Sequence, residues 1–221
     1  MNKKYYIYNK VKSMAGKAML FLCWTLTPGW SLLFACELLS SCDAENTIST
    51  QYPCHFIFYT QYHPGTSIET ALNGLGSYTM VSAAKVNGAW RIYSMLNDGK
   101  NQTETIILST AKENYANYTY IGAGNDLKDA TKNGFILGNT NFQGYVAWDR
   151  QCPNCIRQYS NTNYPLTWTG NRQSVICNKC KRTYSLETGV ITSGAQSKED
   201  QALMRYRVVY TGIGSILTVG N

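Results

Sequence analysis

The sequence predicts a mainly β protein, an antiparallel sandwich or barrel. Three observations carry this. Tyr, Thr and Val are abundant while Pro numbers only 5, a composition that suits strands. Short β-like runs recur at 55–59, 78–81, 89–93, 105–108, 118–121 and 134–137. Turn residues break them at Asn87-Gly88, at Asn97-Asp98-Gly99, over 122–125 and at Asn133-Gly134, the spacing expected of a sandwich or barrel. With 44 % hydrophobic residues and 17 Tyr, the chain can bury a core, and wholesale disorder is excluded.

The elements follow in order. The first 41 residues begin with five lysines (Lys3, Lys4, Lys10, Lys12, Lys17), continue as an apolar stretch over 18–36, and end in Leu39-Ser40-Ser41-Cys42. That layout is a secretory signal, and its ending resembles a lipobox, whose cysteine is acylated and becomes the mature N-terminus. Residues 1–41 are therefore expected to be a lipoprotein signal peptide, with Cys42 the lipidation site of a mature domain over 42–221. An uncleaved membrane anchor is the alternative, because the apolar stretch is 19 residues long and about 20 span a bilayer. Pro28-Gly29 and Glu37 oppose it. The expected address is the bacterial cell envelope, at the outer membrane or the periplasmic face.

The formal charge of +7 sits largely in this leader. Removing it takes five lysines and one glutamate and leaves 15 basic and 12 acidic residues, a net +3. Such a weak field argues against nucleic acid as a partner.

A short helix is expected over 67–72, because Thr66 and Glu69 have capping-box spacing, Ile68, Ala71 and Leu72 share a face, and Gly74 can end it. Near the C-terminus Met204, Tyr206, Val208 and Tyr210 alternate with Arg205 and Arg207, and Ile216-Leu217-Thr218-Val219 closes the chain as another strand.

One motif stands above this background. Cys152-Pro153-Asn154-Cys155 and Cys177-Asn178-Lys179-Cys180 are separated by 21 residues. Two residues between cysteines let a tight turn aim both sulfurs at one point, and two such knuckles supply four thiolates in a tetrahedron. Such a set suits Zn²⁺, a mononuclear iron or an iron–sulfur cluster such as [2Fe–2S]. Two disulfides are the competing arrangement outside the cytosol. Knuckle spacing at both pairs and the odd Cys54 argue for metal. The flanking pattern predicts a small zinc-ribbon or rubredoxin-like subdomain over about 145–189. In it, 145–148 enters the first knuckle, 182–184 leaves the second, and a hairpin turns at Gly170-Asn171-Arg172 with Gly170 at positive φ. Closing strands are expected after Leu203. Cys54 reads as a buried small hydrophobe, His55 and His63 as structural or surface residues, and Trp148 and Trp168 as packing around the site.

The stretch from Cys152 to Cys180, followed by Thr183-Tyr184-Ser185-Leu186-Glu187-Thr188-Gly189, Gly194, Leu203 and Tyr206, resembles the second half of a Rieske domain. With the lipobox and Asp149-Arg150-Gln151-Cys152-Pro153-Asn154-Cys155, the chain looks like the Rieske-fold lipoproteins of the Bacteroidetes type. The resemblance implies a Rieske-like β domain and an electron-transfer centre. That family holds its cluster with two cysteines and two histidines. Here the histidine positions are Asn154 and Cys180, so only Cys152 and Cys177 carry over, and Cys155 and Cys180 are assigned by spacing.

Arg150, Arg157, Arg172, Lys179, Lys181 and Arg182 flank the metal loops, with Asp149 the nearby acid. They can offset thiolate charge or form a docking patch for an acidic protein partner. Closed four-thiolate sites are usually structural, and no nucleophile–base pair is legible. The expectation is thus a membrane-tethered, non-enzymatic protein with a structural Zn²⁺ whose remaining surface binds a partner. Electron transfer through a [2Fe–2S] cluster or a rubredoxin-like iron is the alternative.

Overall fold

A computed structural model of the chain describes residues 48–108, 110–115, 120–124 and 130–221. The expected signal peptide, Cys42 and the first two residues of the run at 118–121 lie outside these residues. Residues 48–221 gather into one compact unit.

Its frame is an eight-stranded antiparallel sheet. The strands are β1 (His55–Tyr59), β2 (Ser77–Val86), β3 (Ala89–Leu96), β4 (Glu104–Ile107), β5 (Phe135–Asn139), β6 (Tyr145–Asp149), β11 (Arg205–Val209) and β12 (Ile216–Gly220), in the order β1-β12-β11-β6-β5-β2-β3-β4. A second antiparallel sheet, in the order β10-β9-β8-β7, is built from β7 (Leu166–Trp168), β8 (Ser174–Cys177), β9 (Thr183–Ser185) and β10 (Ile191–Ser193). The mainly β, antiparallel class read from the sequence is the observed one.

The large sheet curls. Phe56 of β1 meets Phe135 of β5 edge to face at 5.1 Å between ring centroids, although three strands separate β1 from β5 in the sheet order. All eight strands contribute to the inner core, among them Val81, Ile92, Ile106, Ala147, Tyr206 and Leu217. Helix α1 (Ser67–Asn73) adds Ile68 and Leu72 to it. Thr66 caps this helix by accepting from Glu69 N at 3.4 Å, and Gly74 closes it. The Glu69 carboxylate reaches Gly65 N rather than its capping partner. Asn87 and Gly88 both take positive φ between β2 and β3, the two-residue turn that their dipeptide predicts.

β2, β5 and β6 are buried on both faces, because the second sheet covers their outer side. Odd positions (Val81, Phe135, Leu137, Ala147) face inward, whereas Tyr78, Met80, Ile136, Val146 and Trp148 join Leu166, Val175, Tyr184, Leu186 and Leu203 in a second core. Trp148 is the anchor: its Nε1 donates to Leu186 O at 2.9 Å. Gly189, at φ 76°, lies so close that a Cβ there would stand 2.8 Å from the indole ring.

The metal-loop sheet is thus a four-stranded antiparallel insertion between β6 and β11, which are neighbours in the large sheet. Its hairpin differs in one detail from expectation. Arg172, not Gly170, is left-handed, at φ 55°. Arg172 N bonds Thr169 O to close a turn first, and the left-handed residue must follow that turn.

Candidate metal centre

β6 delivers the chain to the first cysteine pair. Its last residue, Asp149, accepts from Gln151 N at 2.6 Å. Gln151 then clamps two segments, donating to Lys132 O at 2.6 Å and accepting from Tyr164 N at 2.7 Å. Cys152 N donates to Tyr164 O. The first pair is not the tight turn expected of a knuckle. It opens helix α3 (Pro153–Tyr159), with Cys152 at the N-cap and Cys155 in the first turn. Pro153 just inside the helix start is the signal that marks it.

The second pair is a turn between β8 and β9. Cys177 N bonds Arg182 O at 3.0 Å, Lys181 N bonds Cys177 O at 2.9 Å, and Lys181 takes φ 62°. This reversal swings Cys180 back toward Cys177.

The fold brings the two pairs together. The sulfurs of Cys152, Cys155, Cys177 and Cys180 all lie within 4.8 Å of one another. Cys152 and Cys180 are 3.7 Å apart at Sγ, and Cys155 and Cys177 are 3.6 Å apart. All five cysteines among the described residues are free, and these separations are far beyond the roughly 2.05 Å of a disulfide. Cys152, Cys155 and Cys177 are buried, and Cys180 is partly exposed. The four could hold a metal.

The surroundings treat the sulfurs unequally, favouring charge on Cys177 and opposing it on Cys152 and Cys155. A hydrogen bond from Cys152 and the backbone N–H groups of Cys180 and Lys179 lower the Cys177 thiol to about 5, against the opposing effect of burial. Burial and neighbouring thiols push Cys155 up to about 12. The Tyr184 hydroxyl lies 3.3 Å from Cys152 Sγ and 3.0 Å from Asn154 Nδ2. Asn154 is held in turn by both backbone groups of Gln201. Tyr184, Asn154 and Gln201 are the site residues that spacing did not reveal, because their contacts join positions 30 and 47 residues apart.

The other expected residues fall as follows. Cys54 is buried in the inner core with its thiol pushed up by burial. His55 is exposed, and His63 pairs with buried Glu113 at 2.5 Å, so neither joins the cysteines. Trp148 and Trp168 pack against the site's core. Asp149 is not a solvated loop acid: it is buried, and desolvation raises it to about 6 against hydrogen bonds from Tyr206, Ala123 and Gln151.

Comparison with protein-family models, curated proteins and solved structures gave no match.

Proposed function

We propose that this chain is a cell-envelope lipoprotein, tethered through Cys42, whose four cysteines hold a single structural zinc ion and whose remaining surface binds a partner protein. The observation that carries the metal reading is the pair of sulfur separations, 3.7 and 3.6 Å. Four thiolates at about 2.3 Å from one tetrahedral ion stand about 3.8 Å apart. A two-iron cluster divides its thiolates into two pairs at opposite ends, and the mutual 4.8 Å span of these sulfurs is better suited to one ion. Four thiolates also fill a tetrahedron and leave no open position, which supports a structural role over a catalytic one.

The lipobox ending Leu39-Ser40-Ser41-Cys42 supports the tether, and the modest mature charge argues against nucleic acid. The likeness to Rieske-fold lipoproteins belongs to the same proposal. Its supports are Cys152 and Cys177 in paired loops, Leu203 buried against the metal sheet and Tyr206 in a closing strand.

Electron transfer through a rubredoxin-like iron is the second reading, favoured by the partial exposure of Cys180. Metal analysis and the visible spectrum of protein made with limiting zinc and ample iron separate the two. The expected result is one equivalent of zinc and no visible absorption. Bound iron with visible bands overturns the zinc assignment, and protein that takes up neither metal overturns the metal centre.

A further inference from the structure

Four thiolates around a divalent ion carry a net charge of −2, and a buried site of that charge needs donors against its sulfurs. Of the six cations that flank the loops, several are turned to other tasks. Arg150 donates to Ala130 O and Arg157 to Glu199 O. Arg172 ties its turn to Gly99 O and Asn101 Oδ1, and Lys179 lies over the Tyr159 ring.

Arg182 differs. Only 5 % of it is exposed. Its Nε and Nη2 donate to the two oxygens of Asp200 at 3.0 and 2.8 Å. Asp200 is itself fixed by Gln196 N, Ser197 N and Ser197 Oγ, and these donors hold its carboxyl well below the usual range, Arg182 first. The remaining terminal nitrogen, Nη1, is buried and has no hydrogen-bond partner. Arg182 stands two residues beyond Cys180, and its carbonyl accepts from Cys177 N at 3.0 Å. Gln196 Nε2 meanwhile donates to Cys180 O, tying the same segment to the ligand turn. A buried guanidinium with one unsatisfied N–H is thus anchored to the turn that carries Cys177 and Cys180.

We infer that Arg182, braced by Asp200, is the charge partner of the Cys180 thiolate in the metal-loaded site and directs Nη1–H toward its sulfur. The inference rests on the metal-centre reading and adds a positioning residue to it. A thiolate so engaged gives less electron density to the metal, because the N–H stabilises its lone pairs. The loaded site is correspondingly easier to bury.

The test uses the full-length chain, reduced and stripped of metal, with Co²⁺ as the spectroscopic probe. Arg182→Gln is expected to weaken Co²⁺ binding about tenfold and to move the thiolate-to-cobalt charge-transfer band to lower energy. Arg182→Lys, which keeps the charge and loses the fork, gives a smaller shift in the same direction, and it carries the test if the glutamine variant does not fold. Asp200→Asn keeps the cation and loosens its brace, and gives a shift in the same direction that is smaller than that of Arg182→Gln. A band that stays fixed in both Arg182 variants, or that moves as far in Asp200→Asn as in Arg182→Gln, overturns the inference and makes the pair a brace for residues 196–200. A parent protein that gives no four-thiolate band with Co²⁺ brings down the metal-centre reading instead.

Discussion

The Tyr184 hydroxyl stands 3.3 Å from Cys152 Sγ while accepting a hydrogen bond from Asn154 Nδ2 at 3.0 Å. Gln201 N donates to Asn154 Oδ1, which fixes the amide and makes its nitrogen the group facing Tyr184. The phenol proton therefore points at the sulfur, and a neutral side chain donates to the Cys152 thiolate. Tyr184→Phe is expected to weaken zinc about tenfold and to destabilise the metal-free protein by only about 1 kcal/mol. Competition titration against a chelator measures the first, and an unchanged affinity would show that the hydroxyl does nothing for the metal.

Cys177→Ser removes the thiol that most favours its charged form. In small thiolate sites metal-binding energy is folding energy, so the variant should lose its metal equivalent and expose 145–189 to protease, while β1 to β4 stay protected. A variant with full metal stoichiometry and an unchanged melting temperature contradicts the four-thiolate site.

Asp149 makes stability depend on pH. Burial raises its pKa from 3.8 to about 6, so the folded state holds the proton more tightly than the unfolded one. Its stabilising contribution is complete below about pH 3.8 and is lost as pH rises to about 6, a change of about 3 kcal/mol at 1.36 kcal/mol per unit. Urea midpoints of the parent and of Asp149→Asn, compared from pH 4 to 7, should diverge over that window. Parallel curves would mean that the carboxyl ionises as freely folded as unfolded.

Gly189→Ala places a Cβ at φ 76° and 2.8 Å from the Trp148 ring. Trp148 cannot retreat, because its Nε1 is bonded to Leu186 O. A destabilisation of about 2 kcal/mol or more is expected from the left-handed backbone and the overpacking together. Thermal unfolding checks it, and a change under half that size would mean that the two sheets slide apart at little cost.

Cys42→Ala should abolish incorporation of labelled palmitate, as the ending Leu39-Ser40-Ser41-Cys42 implies. Label that persists would remove the lipid tether.

What could be read in the sequence was what depends on near neighbours. Asn87-Gly88 sets its own turn, Thr66 caps its own helix, and two CxxC pairs announce their ligands without any knowledge of the fold. Helix α2 (Ala111–Tyr115) was not expected from the sequence, and in the structure Thr110 and Glu113 cap it with reciprocal bonds, Glu113 N donating to Thr110 Oγ1 and Thr110 N to the Glu113 carboxylate. The roles of Asp149, Asn154, Arg182 and Asp200 were not legible, because each depends on a partner from another segment. Asp149 meets Tyr206 across 57 residues, and Arg182 meets Asp200 across 18. Composition marks such residues as polar and says nothing of whether they are buried.

The insertion between β6 and β11 has a further consequence. Trp148 and Arg205 are direct partners in the antiparallel register, so the chain leaves the large sheet and returns to it at adjoining places, as it would at the two ends of an ordinary hairpin. In connectivity the metal module is a detachable graft, and a short turn could replace it without rethreading a single strand. In energy it is a lid, since Tyr78, Met80, Ile136, Val146 and Trp148 would all face water once it was gone. Metal loss would thus be felt as the uncovering of one wall of the curled sheet, and the exposed wall would invite a second molecule to cover it.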